Sequence, residues 1–511
     1  MSPTLLLDGR SLSLEDVEAV TRGSAVSVAL APGARVAVAA SRAFIEAKVA
    51  RGERVYGVTT GFGRLADVII APEERTQLQH NLVRSHAAGM GEPLDRAAVR
   101  AIMLLRANAL ARGHSGCRVE VVERLLELLN HGIHPRVPRY GSVGASGDLA
   151  PLAHVALAVL GEGRAERGGR EAPALELLAE EGLEPFHLEA KEGLSLINGT
   201  QATTGLGILA LLAAERALET LEVAGAMSLD ALMGTPEAFR SEIQEARPHR
   251  GQSESASRLR GLLQGSEIRE SHRSGDPRVQ DAYSLRCMPQ VHGAAREALR
   301  YVRGILEVEA NSATDNPLVF PDADAVVSGG NFHAQIVSQA LDFLAIAVAD
   351  LAAISERRIE RLLNPDLSMG LPAFLTERPG LQSGLMIAQV AAVDSLAEMR
   401  VLAHPASVDS VTTSANQEDH VSMGLAAARK ALQAVACLEQ VVATELLCAA
   451  QGLEYRRPMR SSAPVERAHA LVRERVAALH DDRELGPDLA ALLELVRSGS
   501  LARIAIGEEE A

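Results

Sequence analysis

Ala334–Leu363 reads AQIVSQALDFLAIAVADLAAISERRIERLL, a run longer than the usual globular helix, with apolar residues spread around more than one face. Two other segments behave alike. In one, Val291, Ala295, Ala298, Val302 and Ile305 recur at helical spacing, and the other runs from about Val421 to Ala449. Such helices are best buried in the middle of a large bundle, one completed by other subunits. The expected fold is therefore mainly α: a long central helical bundle, a smaller N-terminal part, and a homo-oligomeric assembly.

Composition supports that reading. The chain has 511 residues, 47% of them hydrophobic, enough to bury a large core, while tryptophan is absent and aromatics make up only 3%. Alanine and leucine dominate, which favours helices packed through small and aliphatic side chains. A net charge of -15 argues against nucleic acid, which needs a basic face to neutralise phosphates. Cys117, Cys287, Cys437 and Cys448 stand far apart with no Cys-x-x-Cys pair, so free thiols in a reducing cytoplasm are expected rather than zinc or disulfides. The opening MSPTLLLDGRSLSLEDVEAV has no basic region or extended apolar segment, and Gly205–Ala213, read as the most apolar stretch, is too short to span a bilayer. A cytoplasmic enzyme acting on a small molecule, without membrane insertion, is the natural expectation.

Along the chain, Ser13 before Leu14-Glu15-Asp16 is a capping arrangement that starts a helix. Tyr56 opens YGVTTGFG, a loop; Arg75 to Ala88 and Arg96 to Ala111 read as helices. GEGRAERGGREAP, from Gly161, reads as an exposed turn or hairpin, and KEGLSLINGTQATTG leads into a further long apolar helix. The polar portion from Glu245 to Asp281 reads as an irregular crossing over the surface. His131 and His134 have His-x-x-His spacing, but with no acidic or cysteine partner beside them they read as two solvated loop histidines. A boundary near residue 200 divides an N-terminal part, 1–200, from the bundle and C-terminal helices, 201–511.

The chemistry points to GSVGASGDLAPLAH, Gly141–His154. If the Gly147 nitrogen attacks the Ala145 carbonyl and water is lost, including the Ser146 hydroxyl, a five-membered imidazolinone with an exocyclic methylene results, an electrophile no ordinary side chain supplies. Gly147 offers an unhindered nitrogen, Ala145 does not shield its carbonyl, and Gly141 and Gly144 allow the tight path. A serine-hydrolase elbow, Gly-x-Ser-x-Gly, fails because Asp148 stands where the second glycine belongs.

With YGVTTGFG, NLVRSHAAGMGEPL, KEGLSLINGTQ, VQDAYSLRCMPQVHGA, TDNPLVF, SGGNFHA, ERRIERLLNP and TSANQEDHVSMG added in order, the chain resembles the aromatic amino acid ammonia-lyase family almost end to end. The resemblance implies a bundle of the ammonia-lyase/fumarase-like type and a homotetramer whose active sites draw on several subunits. It also implies the 4-methylidene-imidazol-5-one (MIO) electrophile formed from Ala145, Ser146 and Gly147, with no metal or external organic cofactor. By the same resemblance Tyr283 is the base that takes the β-hydrogen and Tyr56 the opposing tyrosine. Arg286 grips the substrate carboxylate, as a planar bidentate donor suits. Asn198 and Gln280 give polar contacts, and Phe332 packs near cofactor and substrate.

Specificity rests on His86 and Glu418. A buried carboxylate without a polar partner costs roughly 2 kcal/mol or more, so Glu418 favours a polar substrate ring. The expected reaction is loss of ammonia from L-histidine to give trans-urocanate, the opening step of histidine degradation. A tyrosine or phenylalanine ammonia-lyase, or an aromatic aminomutase, would use the same electrophile. A silent helical scaffold predicts damaged motifs, yet Tyr56, Ser146, Tyr283, Arg286 and Glu418 are all present.

Overall fold

The computed structural model describes residues 4–23 and 26–506. Among the described residues twenty α-helices carry the fold, and no strand exceeds four residues. Four helices are long: Gln201–Ala231, Met288–Ala310, Gln335–Leu363 and Gly424–Glu454. All four fall where apolar periodicity or the lead-in motif predicts them. Two compact units emerge, one from Met1–Leu209, Arg303–Asp342 and Pro405–Arg429, the other from Ala210–Val302, Phe343–His404 and Lys430–Ala511. The units are discontinuous in sequence because each long helix contributes residues to both.

In the first unit the helix Arg96–Ala111 is buried from Ala98 onward and packs against Leu14–Arg22 and Val119–Asn130. Ser13 caps Leu14–Arg22 in a reciprocal box: its hydroxyl accepts from Asp16 N at 3.0 Å, and the Asp16 carboxylate accepts from Ser13 N at 3.1 Å. The predicted hairpin forms between Arg164–Arg167 and Arg170–Pro173, turning at Gly168 and Gly169, with φ of 59° and 84°.

The two-histidine reading needs correction here. Only His131 is part-exposed, and it pairs with Glu181 at 2.7 Å. His134 is buried, and its Nε2 lies 3.0 Å from Arg100 Nη1, a donor, so that nitrogen is an unprotonated acceptor. Burial, then the Arg100 charge, pulls His134 down from 6.5 to about 4 against the pull of Glu166. A depressed folded pKa contributes stability that is full above about 6.5 and lost as pH falls toward about 4. Thermal melting across that window should therefore show a shallower decline for His134→Gln than for the unsubstituted protein; parallel curves would remove His134 from the acid response. Among the described residues no group of three or more His, Cys, Asp or Glu is placed to hold a metal ion.

In the second unit the apolar helices share one buried polar node. Arg358 donates to both Glu445 oxygens, at 2.6 and 2.8 Å, while Ser228 and Ser355 donate to the same carboxylate at 2.7 and 2.6 Å. Each Glu445 oxygen accepts two hydrogen bonds, so the node ties three long helices together without an orphaned charge. Removing one member of such a pair costs about 3–5 kcal/mol.

The segment expected to cross the surface irregularly instead contains the helices Arg250–Leu263 and Glu267–Ser271. The buried face of Arg250–Leu263 is Gly251, Gln252, Ser255, Ala256, Leu259, Leu262 and Leu263, a helical spacing written mostly in small and polar residues. Apolar periodicity could not reveal it. A Cβ on Gly251 would sit 2.4 Å from the Gly293 carbonyl oxygen, so two helices approach there closer than any side chain permits.

Gln335–Leu363 and Gly424–Glu454 are long and apolar enough to cross a membrane by length and composition, with mean hydropathy of 1.7 and 1.4. They behave as core helices: 56% and 78% of those windows are buried within the protein.

Candidate active site

The Gly141–Asp148 loop owes its shape to its neighbours as much as to its glycines. Gly147 has φ +75°, and a Cβ there would lie 2.3 Å from Gly199 O, so only glycine fits. Asp148 is fully buried beneath the loop; its carboxylate accepts from Ser142 Oγ at 2.8 Å, Thr203 N at 2.7 Å and Thr203 Oγ1 at 3.0 Å. Its own N–H donates to Gly199 O at 2.7 Å. Burial raises its pKa, and these hydrogen bonds oppose the rise. From the other side Ser422 Oγ donates to Gly144 O at 3.0 Å and Met423 N to Val143 O at 2.8 Å.

Three helices, Arg75–His86, Leu149–Val159 and Glu192–Ile197, pack together under the site and aim its loops. Buried Gln79 ties two of them: its Nε2 donates to Gly57 O and its Oε1 accepts from Leu194 N, both at 3.2 Å. Asn198 follows Glu192–Ile197 directly, and its carbonyl accepts from fully buried Arg106 at 2.8 Å. Its side chain donates through Nδ2 to Ser146 O at 2.7 Å, while Oδ1 is buried with no partner among the described residues.

Tyr56, His86, Ala145, Ser146, Asn198, Phe332 and Glu418, all in the first unit, line one cavity of about 1070 Å³. Ser146 Oγ donates to Glu418 Oε1 at 2.8 Å, and the other carboxylate oxygen accepts from Thr413 Oγ1 at 2.7 Å. Tyr56 accepts from Gly63 N at 2.9 Å and meets Phe62 edge to face at 6.2 Å. Burial raises the Tyr56 pKa and the Glu418 charge adds to it, outweighing Gly63. Tyr56 therefore stays a phenol near neutrality, with its own O–H left to donate. His86, the last residue of its helix, has Nδ1 2.8 Å from Leu82 O; that contact requires the proton on Nδ1 and leaves Nε2 free to accept.

Gly147 lies behind the cavity wall, bridged to Gly199. Gln280, Tyr283 and Arg286 belong to the second unit and do not line the cavity. Tyr283 and Arg286 share the short helix Tyr283–Arg286, with the Tyr283 side chain 71% exposed and the Arg286 guanidinium 4.5 Å from its ring centre.

Sequence reasoning passed over Asp148 and Thr413. Asp148 immediately precedes the helix Leu149–Val159 and resembles an N-cap, but its side chain makes no cap hydrogen bond and serves the loop instead. Thr413 had no local signal: its hydroxyl matters only because the chain turns back on Glu418. That turn holds Ser414, Ala415 and Asn416 at φ of 51°, 51° and 69°. Left-handed backbone costs non-glycine residues of order 1–3 kcal/mol each, and such runs persist where surrounding contacts over-determine them.

The aromatic amino acid lyase family model matches residues 12–474. A histidine ammonia-lyase of Anaeromyxobacter dehalogenans is 54% identical over 506 residues, covering 98% of this chain and 99% of that one. Among solved structures, histidine ammonia-lyase from Trypanosoma cruzi superposes with a TM-score of 0.92 at 44% identity, covering 98% of this chain and 95% of the other. Tyrosine aminomutase from Streptomyces globisporus superposes with a TM-score of 0.94 at 37% identity, covering 100% and 99%. With the glycine-shaped loop, the cavity that Ala145 and Ser146 line and this end-to-end likeness together, the chain belongs to the aromatic amino acid lyase family.

Proposed function

We propose that this chain is a carbon–nitrogen lyase that removes ammonia from L-histidine to give trans-urocanate, as its histidine ammonia-lyase relatives are named to do. One observation carries the substrate reading: the Glu418 carboxylate sits 2.8 Å from Ser146 Oγ, in the same cavity as the free acceptor face of His86. An imidazole N–H can donate to either acceptor, and an imidazolium to both; a phenyl ring offers no donor to Glu418 Oε1 or to His86 Nε2.

The residues fit an MIO group. Gly147 sits in a cradle that a Cβ would fill, Ala145 is buried, and Asn198 donates to the Ser146 carbonyl. That group, when formed, supplies the electrophile that makes ammonia a leaving group. Glu418 and His86 orient the imidazole. Asn198 holds the Ser146 carbonyl through its Nδ2, and the Tyr56 phenol donates a hydrogen bond inside the cavity. Arg286 binds the substrate carboxylate as a planar fork, and Tyr283 takes the β-hydrogen.

The second-unit residues reach the cavity from other copies in a homotetramer. Two features support this reading. The cavity is far larger than one amino acid, and the helix Met386–Leu402 exposes Ile387, Val390, Val393 and Val401 at 42–71%. Four free cysteines accord with a cytoplasmic setting.

Ultraviolet absorbance during separate incubations with L-histidine, L-tyrosine and L-phenylalanine tests the substrate. A urocanate band from histidine alone is expected; a coumarate or cinnamate band would overturn the specificity argument. A β-amino acid formed from tyrosine would mark an aminomutase, the activity named for the solved relative from Streptomyces globisporus.

A further inference from the structure

We infer that Thr413 is a positioning residue that orients Glu418 within the active-site cavity. The inference rests on the reading of Glu418 as the imidazole partner. Thr413 does not line the cavity, so it can act only through its neighbour. Its hydroxyl donates to Glu418 Oε2 at 2.7 Å, while Oε1 accepts from Ser146 at 2.8 Å. The backbones are joined as well: Thr413 N donates to Glu418 O at 2.9 Å, and Glu418 N to Thr413 O at 3.4 Å. The intervening Ser414, Ala415 and Asn416 are all left-handed, and Ser414 faces Gly63, the donor to Tyr56: a Cβ on Gly63 would be 3.1 Å from Ser414 Oγ.

This arrangement divides the labour between the two carboxylate oxygens. Thr413 occupies Oε2 and stops rotation about the last side-chain bond, which leaves Oε1 directed at the position of Ser146. A glutamate has three rotatable bonds, and an unanchored one spends part of its time pointing elsewhere. Once the Ser146 hydroxyl has left with ring formation, the backbone bridge and the Thr413 hydroxyl hold this one, and of those two only the hydroxyl acts on the carboxylate itself.

Three substitutions separate a hydroxyl role from a packing role. Thr413→Val keeps the shape and loses the donor; Thr413→Ser keeps the donor and loses the methyl. On L-histidine, T413V should lower kcat/KM about 10-fold, chiefly in kcat because Arg286 still binds the substrate carboxylate, whereas T413S should stay within about 3-fold of the unsubstituted enzyme. In a Glu418→Gln background, T413V should change kcat/KM by less than about 2-fold, since the group it orients has been altered. Peptide mass over residues 145–147 should be the same in all enzymes, which excludes an effect through cyclisation. An unchanged T413V, a T413S worse than T413V, or a full effect of T413V in the E418Q background would each overturn the assignment. Should T413V not fold, Thr413→Ala takes its place with the same expected loss. Failure of the unsubstituted enzyme on L-histidine would overturn the substrate reading instead, and the Val/Ser contrast would then be read on whichever amino acid is turned over.

Discussion

Ser146→Ala should abolish turnover, by about 10⁴-fold or more, while leaving the fold intact. The serine hydroxyl donates to Glu418, and the loop is held by other groups: Asp148 from below, Ser422 and Met423 from the side. Melting temperature should therefore move little. The peptide carrying residues 145–147 should weigh two waters less than its sequence in the unsubstituted enzyme, one lost in ring closure and one from the serine. In Ser146→Ala the serine water cannot leave. Retained turnover would end the proposal that the electrophile comes from this tripeptide.

Gly147→Ala should reach the same inactivity by another route. The added Cβ would lie 2.3 Å from Gly199 O and 2.8 Å from Gly199 N, at a φ of +75° that an alanine rarely adopts. Overpacking of this kind typically costs about 1–3 kcal/mol, so this variant should also lose stability. Melting temperature thus distinguishes the two: unchanged for Ser146→Ala, lowered for Gly147→Ala.

Tyr283→Phe should lower kcat by about 10²–10⁴-fold with the modified peptide still formed, as expected for loss of a proton-transfer group. Tyr283 is 71% exposed and Phe keeps the ring that Arg286 stacks on, so little stability should be lost. Its exposure on a unit that does not line the cavity leads to a sharper test. If each site takes Ser146 from one copy and Tyr283 from another, co-expressing Ser146→Ala with Tyr283→Phe should restore part of the activity that neither has alone. Hybrid tetramers with no recovered activity would contradict the shared site, whereas Tyr283→Phe enzyme with full turnover would remove the residue from the role of base.

Much of the candidate site was legible because it lies in contiguous motifs. Tyr56, His86, Ala145, Ser146, Asn198, Phe332 and Glu418 were all named from sequence, and all line one cavity. Where the reading failed, the missing information was not local. His134 looked like a loop histidine because nothing beside it in sequence reveals that Arg100, 34 residues away, lies against it. The helix Arg250–Leu263 was read as irregular because the first half of its buried face is Gly251, Gln252, Ser255 and Ala256, which pack by closeness, and leucines enter only at Leu259, Leu262 and Leu263.

Local spacing along the chain already specifies long helices and the tripeptide at which the proposed electrophile would form. Helical periodicity is a property of residues three and four apart, and ring closure joins covalent near neighbours, so both are written within a few residues. Tertiary structure decided what surrounds that electrophile. Glu418 meets Ser146 across 272 residues, Thr413 meets Glu418 only because three left-handed residues fold the chain back, and Asp148 serves the loop rather than the helix it precedes. Such contacts arise from the packing of distant elements, and no local spacing records them.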